Sequence, residues 1–463
     1  MSINKFDEIK KHIQKVYEEY SRPFVIGFSG GKDSTSVLQM TWEAIRGLPE
    51  KKRKNDIYVI TVDTLVETPY IISYINATID GINQAAIEQE LPIKAFKLTP
   101  ELEGTFWVNL IGKGYPAPSQ QFRWCTQRLK IDPANRFVEE YASKYGEVTM
   151  VLGARSAESI SRAQVLEKKQ RDSLGVSKHT SLPGAYVFTP IEKLSDDEVW
   201  EYLLKNIDTP WGKSNRDLSA MYQNASGGEC PLVVDTSTPS CGNSRFGCWV
   251  CTLVLKDTSM ENLIDSGEDW MTPLVEFRNF LSSTQSPDEK QNYRDYKRRS
   301  GQASMTRDQS KLVRGPYYLN WRKEFLRMLL KAQKEIQEYG PDSNAELISF
   351  EELKRIRQIW KDEEADWEDS VVLIYKEIFD RVLKFGQEDG VRFNSSDKEL
   401  LEAICQQEGV PVNLIGRLID EELKLHGMYR RAGIIARIDD IFSEEWRSEE
   451  AVLEDLKNKH QVI

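Results

Sequence analysis

Apolar runs alternate with amphipathic stretches through the first half of the chain, and this pattern predicts an α/β fold. Short, nearly continuous apolar runs at residues 24–28, 57–63, 93–98 and 148–152 predict buried strands. Between the strands, apolar residues recur at helical spacing, and residues 5–20 show the same spacing before the first strand. This order predicts a doubly wound parallel sheet with right-handed crossovers.

The second half of the chain shows helical periodicity and predicts a mostly α-helical region. The Gly- and Pro-containing residues 100–120 predict a loop or lid. Composition divides the chain into an α/β domain at 1–210, a cysteine-bearing segment at 211–260, a basic and aromatic connecting region at 261–340 and an acidic helical domain at 341–463. Helical spacing in the second half covers residues 321–337, 350–360, 370–385, 397–407 and 414–425.

The first predicted strand leads directly into Ser-Gly-Gly-Lys-Asp-Ser at residues 29–34, and a helix follows. Glycines let backbone N–H groups approach oxygen atoms closely, the helix N-terminus adds partial positive charge, and Lys32 adds a full one. The stretch is therefore predicted to bind phosphate. It is not a Walker loop, because Ile26 stands where that pattern requires glycine and Asp33 stands where it requires Ser or Thr.

Charged residues also follow the second and fourth predicted strands. Asp63 ends the second strand and is predicted to face a nucleotide, with a helix or turn cap as the alternative. Arg155 and Arg162 follow the fourth strand with Glu158 between them. We predict that the two arginines hold phosphates and that Glu158 orients a guanidinium; an ordinary surface ion pair is the alternative.

Five of the six cysteines suggest chemistry. Cys125 lies among Arg123, Arg128 and Lys130, which predicts a lowered thiol pKa suited to a nucleophile or sulfur carrier; a buried structural cysteine is the alternative. Four thiols on glycine-rich loops fit zinc and a [4Fe–4S] cluster equally well, and a redox Cys-x-x-Cys pair would leave two of them unexplained. These four are Cys230, Cys241, Cys248 and Cys251.

Charge and composition limit the classes of partner. The net charge of −11 over 463 residues argues against a protein that simply coats nucleic acid. Residues 294–334, however, hold twelve Lys and Arg against three acids, with tyrosines and Trp321 interleaved, which suits phosphate contact and base stacking. A solvated helix face is the alternative. The N-terminus lacks signal-peptide features and no apolar run could span a bilayer, so a cytoplasmic protein without membrane contact is expected.

Taken in chain order, these motifs resemble the phosphoadenosine phosphosulfate reductase family. The resemblance covers residues 20–205 and includes Arg-Trp-Cys-Thr at 123–126 and Gly-x-Arg-x-x-Glu-Ser at 153–159. It implies an adenine-nucleotide site on a PP-loop ATP pyrophosphatase domain. With the later four-cysteine group, the chain is similar to the DndC- and SspD-type proteins of bacterial DNA phosphorothioation, which implies an iron–sulfur cluster on those cysteines. Cluster-bearing assimilatory reductases instead have a double cysteine where this chain has Trp124-Cys125.

We therefore predict an ATP pyrophosphatase and sulfurtransferase that activates a DNA backbone phosphate for sulfur incorporation. Its cofactors would be ATP, Mg²⁺ and a [4Fe–4S] cluster, and its partners a cysteine desulfurase, other phosphorothioation proteins, and DNA contacted directly or through them. A sulfonucleotide reductase, an RNA thiolase and a nucleotide-gated assembly subunit are the alternatives. Lys32, Asp33 and Cys125 are the predicted catalytic residues, and the predicted nucleotide-binding residues are Ser29, Gly30, Gly31, Lys32, Asp33, Ser34, Asp63, Arg155 and Arg162.

Overall fold

The computed structural model contains two compact units. The first, called here the sheet unit, comprises Met1–Glu101 and Arg123–Met271. The second, called the helical unit, comprises Leu102–Phe122 and Thr272–Ile463. The structure describes residues 2–158, 160–168, 170–225, 247–254, 256–308, 310–385, 395–425 and 433–461.

A six-stranded sheet forms the centre of the sheet unit. Its strands are β1 (Phe24–Gly27), β2 (Ile57–Val62), β3 (Ile93–Leu98), β4 (Val148–Val151), β5 (Ser177–Lys178) and β6 (Ala185–Phe188). Their spatial order is β3-β2-β1-β4-β6-β5. All neighbouring strands pair in parallel except the short edge strand β5, which runs antiparallel to β6. The predicted mostly parallel α/β sheet is therefore confirmed, and the antiparallel edge is an addition to it.

Helices cover both faces of this sheet because alternate strand residues point to opposite sides. Phe24 and Ile26 of β1 join the core that contains Ile13 and Trp42, whereas Val25 joins the core that contains Phe137. The helices of this unit are α1 (Ser2–Glu19), α2 (Lys32–Arg46), α3 (Pro69–Glu88), α4 (Asp132–Tyr145), α5 (Ile160–Glu167), α6 (Asp196–Lys205), α7 (Asn215–Ala225) and α8 (Thr258–Asp265), with π-helical turns at Thr126–Ile131.

The helical unit confirms the helical second half. None of the helices in the described ranges is long and apolar enough to cross a membrane. The predicted helix over 370–385 ends earlier, at Phe379, where Asp380 adopts a left-handed backbone conformation with φ 52°. The helices are α9 (Thr272–Ser283), α10 (Lys290–Tyr293), α11 (Leu319–Tyr339), α12 (Phe350–Glu364), α13 (Ser370–Phe379), α14 (Ser395–Glu408), α15 (Val412–Leu425), α16 (Ile434–Ser443) and α17 (Glu449–Gln461).

Residues 100–120 are not simply the loop or lid that the sequence predicts. They contain a π-helical segment, Val108–Gly112, whose residues are buried in the core of the helical unit. The fully buried Trp107 donates its Nε1–H to the carbonyl of Leu347 at 2.6 Å, and Trp360 donates to the carbonyl of Ile111 at 2.9 Å. The glycines and prolines of this stretch favour the prediction of a loop, but the stretch contributes a buried segment from the first half of the chain to the core of the helical unit.

Candidate functional site

The turn between β1 and α2 has the shape that the sequence predicts for a phosphate site. Gly30 has φ +75°, a conformation that other residues rarely adopt. The Ser34 hydroxyl accepts a hydrogen bond from the Ser29 N–H at 3.2 Å and donates one to the Gly31 carbonyl at 2.9 Å, which holds the turn closed. The turn residues Ser29, Gly30, Gly31 and Lys32 line a cavity of about 490 Å³, called here the nucleotide cavity.

The other walls of the nucleotide cavity are partly apolar. A volume of about 490 Å³ falls in the range of small-molecule sites. Backbone N–H groups and a lysine on one wall suit an anion, and apolar walls suit a flat base. The arrangement therefore suits a nucleotide. The apolar residues that α3 and α7 contribute are Ile71, Tyr74, Ile75 and Met221.

Lys32 belongs to a buried network of ion pairs together with Asp196, Arg155 and Asp33. Its Nζ lies 3.4 Å from Asp196 Oδ2, and only 5% of the residue is exposed. The buried guanidinium of Arg155 donates to Asp33 Oδ1 at 2.6 Å and also to Asp196. Burial raises the pKa of Asp33; for Asp196, burial is outweighed by Lys32 and Arg155, which hold its pKa below the usual value. The network fixes the position of the turn lysine.

Arg155 is thus placed to hold the turn, and it does not line the nucleotide cavity within the part of the chain that is described. Glu158 Oε1 accepts the Arg155 backbone N–H at 2.9 Å. Gly153 precedes this pair, and a Cβ there would lie 2.9 Å from the Asp33 carbonyl carbon, which explains the glycine. The side chain of Arg162 lies outside the described residues.

Asp196 and Tyr222 also belong to the site, although no sequence motif marks them. Ser195 and Glu198 form a capping box that places Asp196 at the first position of α6, facing Lys32 and Arg155. Tyr222 of α7 lines the nucleotide cavity, and its hydroxyl accepts the Lys32 N–H at 3.2 Å. Both residues come from helices distant in sequence, so only the fold brings them to the turn.

The loop after β2 presents a different carboxylate from the one predicted. Asp63 accepts the Leu65 N–H at 2.9 Å and lies 3.4 Å from Lys97 Nζ, contacts that fit its alternative interpretation as a turn cap. Its contact with a nucleotide stays a prediction. Glu67 lines the nucleotide cavity instead. Its Oε1 accepts the Thr64 hydroxyl at 2.9 Å, and burial raises its pKa. The sequence signal for this residue is that a second carboxylate, Glu67, follows Asp63 by four positions.

Three cysteines line a second cavity of about 150 Å³, called here the thiol cavity. They are Cys125, Cys248 and Cys251, and Lys130 and Gly247 contribute to the walls of both cavities. Cys248 Sγ lies 3.2 Å from Thr64 Oγ1, and the Trp249 N–H donates to the Val66 carbonyl at 3.0 Å. The loop after β2 therefore anchors the Cys-x-x-Cys segment beside the nucleotide cavity.

The predicted lowering of the Cys125 pKa is wrong. Burial and the neighbouring Cys251 raise the pKa of the Cys125 thiol, and they outweigh the opposing charge of Lys130. Burial likewise raises the pKa of Cys248 to about 12. Cys248 in turn contributes most to raising the pKa of Lys130. The positive charges near Cys125 lower its pKa by less than burial of the thiol raises it.

Only half of the predicted cluster ligands lie in the described ranges. Cys248 and Cys251 face one cavity, and their thiol donors fit either an iron–sulfur cluster or zinc. Cys230 and Cys241 lie outside the described residues. Within the described ranges, no group of three or more ligating side chains is placed to hold a metal ion.

A protein-family match covers the region of the chain that contains both cavities. The phosphoadenosine phosphosulfate reductase domain matches residues 23–253, which confirms the family predicted from the motifs for this domain. A curated but uncharacterized protein of Methanocaldococcus jannaschii is 29% identical over 201 residues, covering 43% of this chain. The match spans 35% of that relative's own length.

Two solved structures match parts of this chain at low similarity. The phosphoadenylyl-sulfate reductase of Candida auris, in its phosphate complex, is 12% identical, with 50% of this chain and 89% of that chain covered and a TM-score of 0.28. The U34-tRNA thiolase NcsA of Methanococcus maripaludis, with its [4Fe-4S] cluster, is 16% identical, with 48% and 74% covered and a TM-score of 0.29.

Proposed function

This chain carries a domain of the phosphoadenosine phosphosulfate reductase family, and from that premise we propose that it is an ATP pyrophosphatase and sulfurtransferase. The family includes sulfonucleotide reductases and tRNA thiolases. One observation carries the proposal: the nucleotide cavity and the thiol cavity share Lys130 and Gly247 in their walls. Phosphate activation and sulfur delivery can therefore take place side by side.

The proposed reaction has two displacements. The backbone N–H groups of the turn and Lys32 hold the β- and γ-phosphates of ATP while an acceptor phosphate oxygen attacks the α-phosphorus and pyrophosphate leaves. The outer sulfur of a persulfide on Cys125 then attacks the acceptor phosphorus, and AMP leaves with the oxygen. An external thiol breaks the S–S bond by attacking Cys125 Sγ, and a second external thiol reduces the resulting mixed disulfide.

The acceptor and partners are proposed from the motif resemblance. The acceptor is a DNA backbone phosphate, the sulfur comes from a cysteine desulfurase, and other phosphorothioation proteins present or bind the DNA. Mg²⁺ offsets the charge of the phosphates. The proposed ligands of a [4Fe–4S] cluster, or of zinc, are Cys230, Cys241, Cys248 and Cys251; a cluster supplies electron transfer when bound. We place these reactions in the cytoplasm.

The test is sulfur incorporation into DNA by the full chain, assayed anaerobically with ATP, cysteine and a desulfurase. Lys32→Ala is expected to abolish both pyrophosphate release and DNA phosphorothioate, because the turn loses its full positive charge. Lys94→Ala, which removes an exposed lysine of β3, is the matched control and should retain both. Phosphorothioate that persists in Lys32→Ala without pyrophosphate release would contradict the proposal.

A further inference from the structure

Glu67 is a carboxylate in a cavity otherwise built for an anion. Only 7% of the residue is exposed, and it lines the nucleotide cavity together with Lys32, Lys130 and the glycine turn. Its Oε1 contacts the Thr64 hydroxyl at 2.9 Å and Cys248 Sγ at 3.8 Å. Its Oε2 is buried and has no hydrogen-bond partner among the residues that the structure describes. The second oxygen is therefore available to a ligand.

Glu67 is also held rigidly. It forms a β-bridge with Cys248, and the next residue, Thr68, caps α3 by accepting the Ile71 N–H. With its backbone anchored in this way, the carboxylate lies beside any polyphosphate that enters the cavity. The two negative groups would repel each other at short range. A function for the carboxylate must therefore involve a positive group that both can share.

We propose that Glu67 Oε2 binds a divalent cation, Mg²⁺ in the cell, jointly with the phosphates of the bound nucleotide. This inference rests on the proposed ATP site. Mg²⁺ is commonly held by one or two carboxylates together with substrate phosphates and waters, and it prefers oxygen ligands to thiolates. With a single protein carboxylate, the site is complete only when a nucleotide is present.

The structure favours Glu67 over Asp63, the carboxylate singled out by the sequence. Asp63 Oδ1 already accepts the Leu65 N–H, and its Oδ2 lies 3.4 Å from Lys97 Nζ. Asp33, within the turn motif, is engaged by Arg155 at 2.6 Å. Among the three carboxylates, Glu67 is the one that combines a cavity-lining position with an oxygen that lacks a hydrogen-bond partner.

The experiment measures the dissociation constant of α,β-methylene-ATP, which resists the proposed cleavage, with and without Mn²⁺. In the unmodified protein, Mn²⁺ should tighten binding by about tenfold or more. In Glu67→Gln, metal-free binding should be equal or tighter because the repulsion is gone, and the gain from Mn²⁺ should fall below about threefold. Glu147→Gln, at an exposed carboxylate paired with Arg22, is the control and should keep the full gain.

Each outcome bears on a different claim. If the unmodified protein fails to bind the analogue with or without Mn²⁺, the proposed function is wrong and this inference falls with it. If the analogue binds but Glu67→Gln keeps the Mn²⁺ gain, or weakens binding equally with and without metal, the assignment to Glu67 is overturned while the nucleotide site stands. Loss of the gain in Asp63→Asn, with Glu67→Gln unaffected, would also overturn it.

Discussion

Two lysines of the sheet unit line cavities, whereas several basic residues of the helical unit form ion pairs with acids of the same unit. In the sheet unit, Lys32 and Lys130 line the nucleotide cavity, and Lys130 also reaches the thiol cavity. In the described part of the helical unit, five of the twelve cations of residues 294–334 pair with acids later in the chain. The pairs are Arg299–Glu363, Arg314–Glu449, Arg322–Glu364, Lys323–Asp366 and Arg327–Glu377.

This difference shows what charge density in a sequence can predict. The sequence predicts a basic region suited to DNA and an acidic helical domain after it. In the structure, the five ion pairs join these two regions within one compact unit. In the sheet unit, by contrast, the glycine turn after β1 places the charge of Lys32 in the wall of the nucleotide cavity. Contact between the helical unit and DNA stays a prediction.

The largest expected effect comes from Lys130→Ala. The lysine is exposed, so its loss should leave the fold intact, but it removes the positive charge shared by both cavities. DNA phosphorothioate formation should fall by roughly 10²–10³-fold, the cost of losing one electrostatic contact to the transition state. The measurement is the amount of phosphorothioate by mass spectrometry after a fixed time. A change smaller than about threefold would remove Lys130 from the site.

Arg322→Ala tests the other side of the comparison. Arg322 is 2% exposed, donates to the Gly112 carbonyl at 2.7 Å and pairs with Glu364. Removing it leaves Glu364 without this partner, so the free energy of unfolding should fall by about 3 kcal/mol. Chemical denaturation measures this loss. Pyrophosphate release by the folded protein should be unchanged, and a fall in that rate would give this cation a role in the reaction.

Asp196→Asn is expected to slow pyrophosphate release by about tenfold, because Lys32 and Arg155 lose the charge that positions them. Its lowered pKa in the fold means that the carboxylate stabilises the protein at neutral pH, and this stabilisation disappears as pH falls through the folded pKa, which lies below the ordinary value of an aspartate. Melting temperatures of the two proteins should therefore differ at neutral pH and converge in acid. Asp197→Asn, at the exposed next residue, is the control.

The smallest effect is expected for Arg327→Ala. This half-buried arginine pairs with Glu324 at 2.5 Å and Glu377 at 3.1 Å on the surface of the helical unit. Such pairs contribute about 0.5 kcal/mol, so stability and pyrophosphate release should both stay near their original values. If DNA binding weakened markedly in this variant while stability held, the helical unit would use its cations for nucleic acid after all.

The first four strands and the turn after β1 could be predicted because each depends on local sequence, whereas β5 and β6 were not predicted. Long-range contacts decided the rest. Asp63 and Glu67 are four residues apart, and only the path of the loop after β2 determines which one lines the cavity. Arg155 holds the turn because α6 brings Asp196 to it. The Cys125 pKa is raised because burial, invisible in the sequence, outweighs the nearby cations.

The central claim is that the nucleotide cavity splits ATP between its α- and β-phosphates to activate an acceptor for sulfur. The most direct test is ³¹P NMR of the full chain with ATP, Mg²⁺, DNA, cysteine and a desulfurase, beside a parallel sample containing phosphoadenosine phosphosulfate and a dithiol. The account predicts AMP and pyrophosphate in equal amounts, with phosphorothioate in the DNA. Intact ATP together with conversion of the phosphosulfate to adenosine 3′,5′-bisphosphate, or ADP with inorganic phosphate, would contradict it.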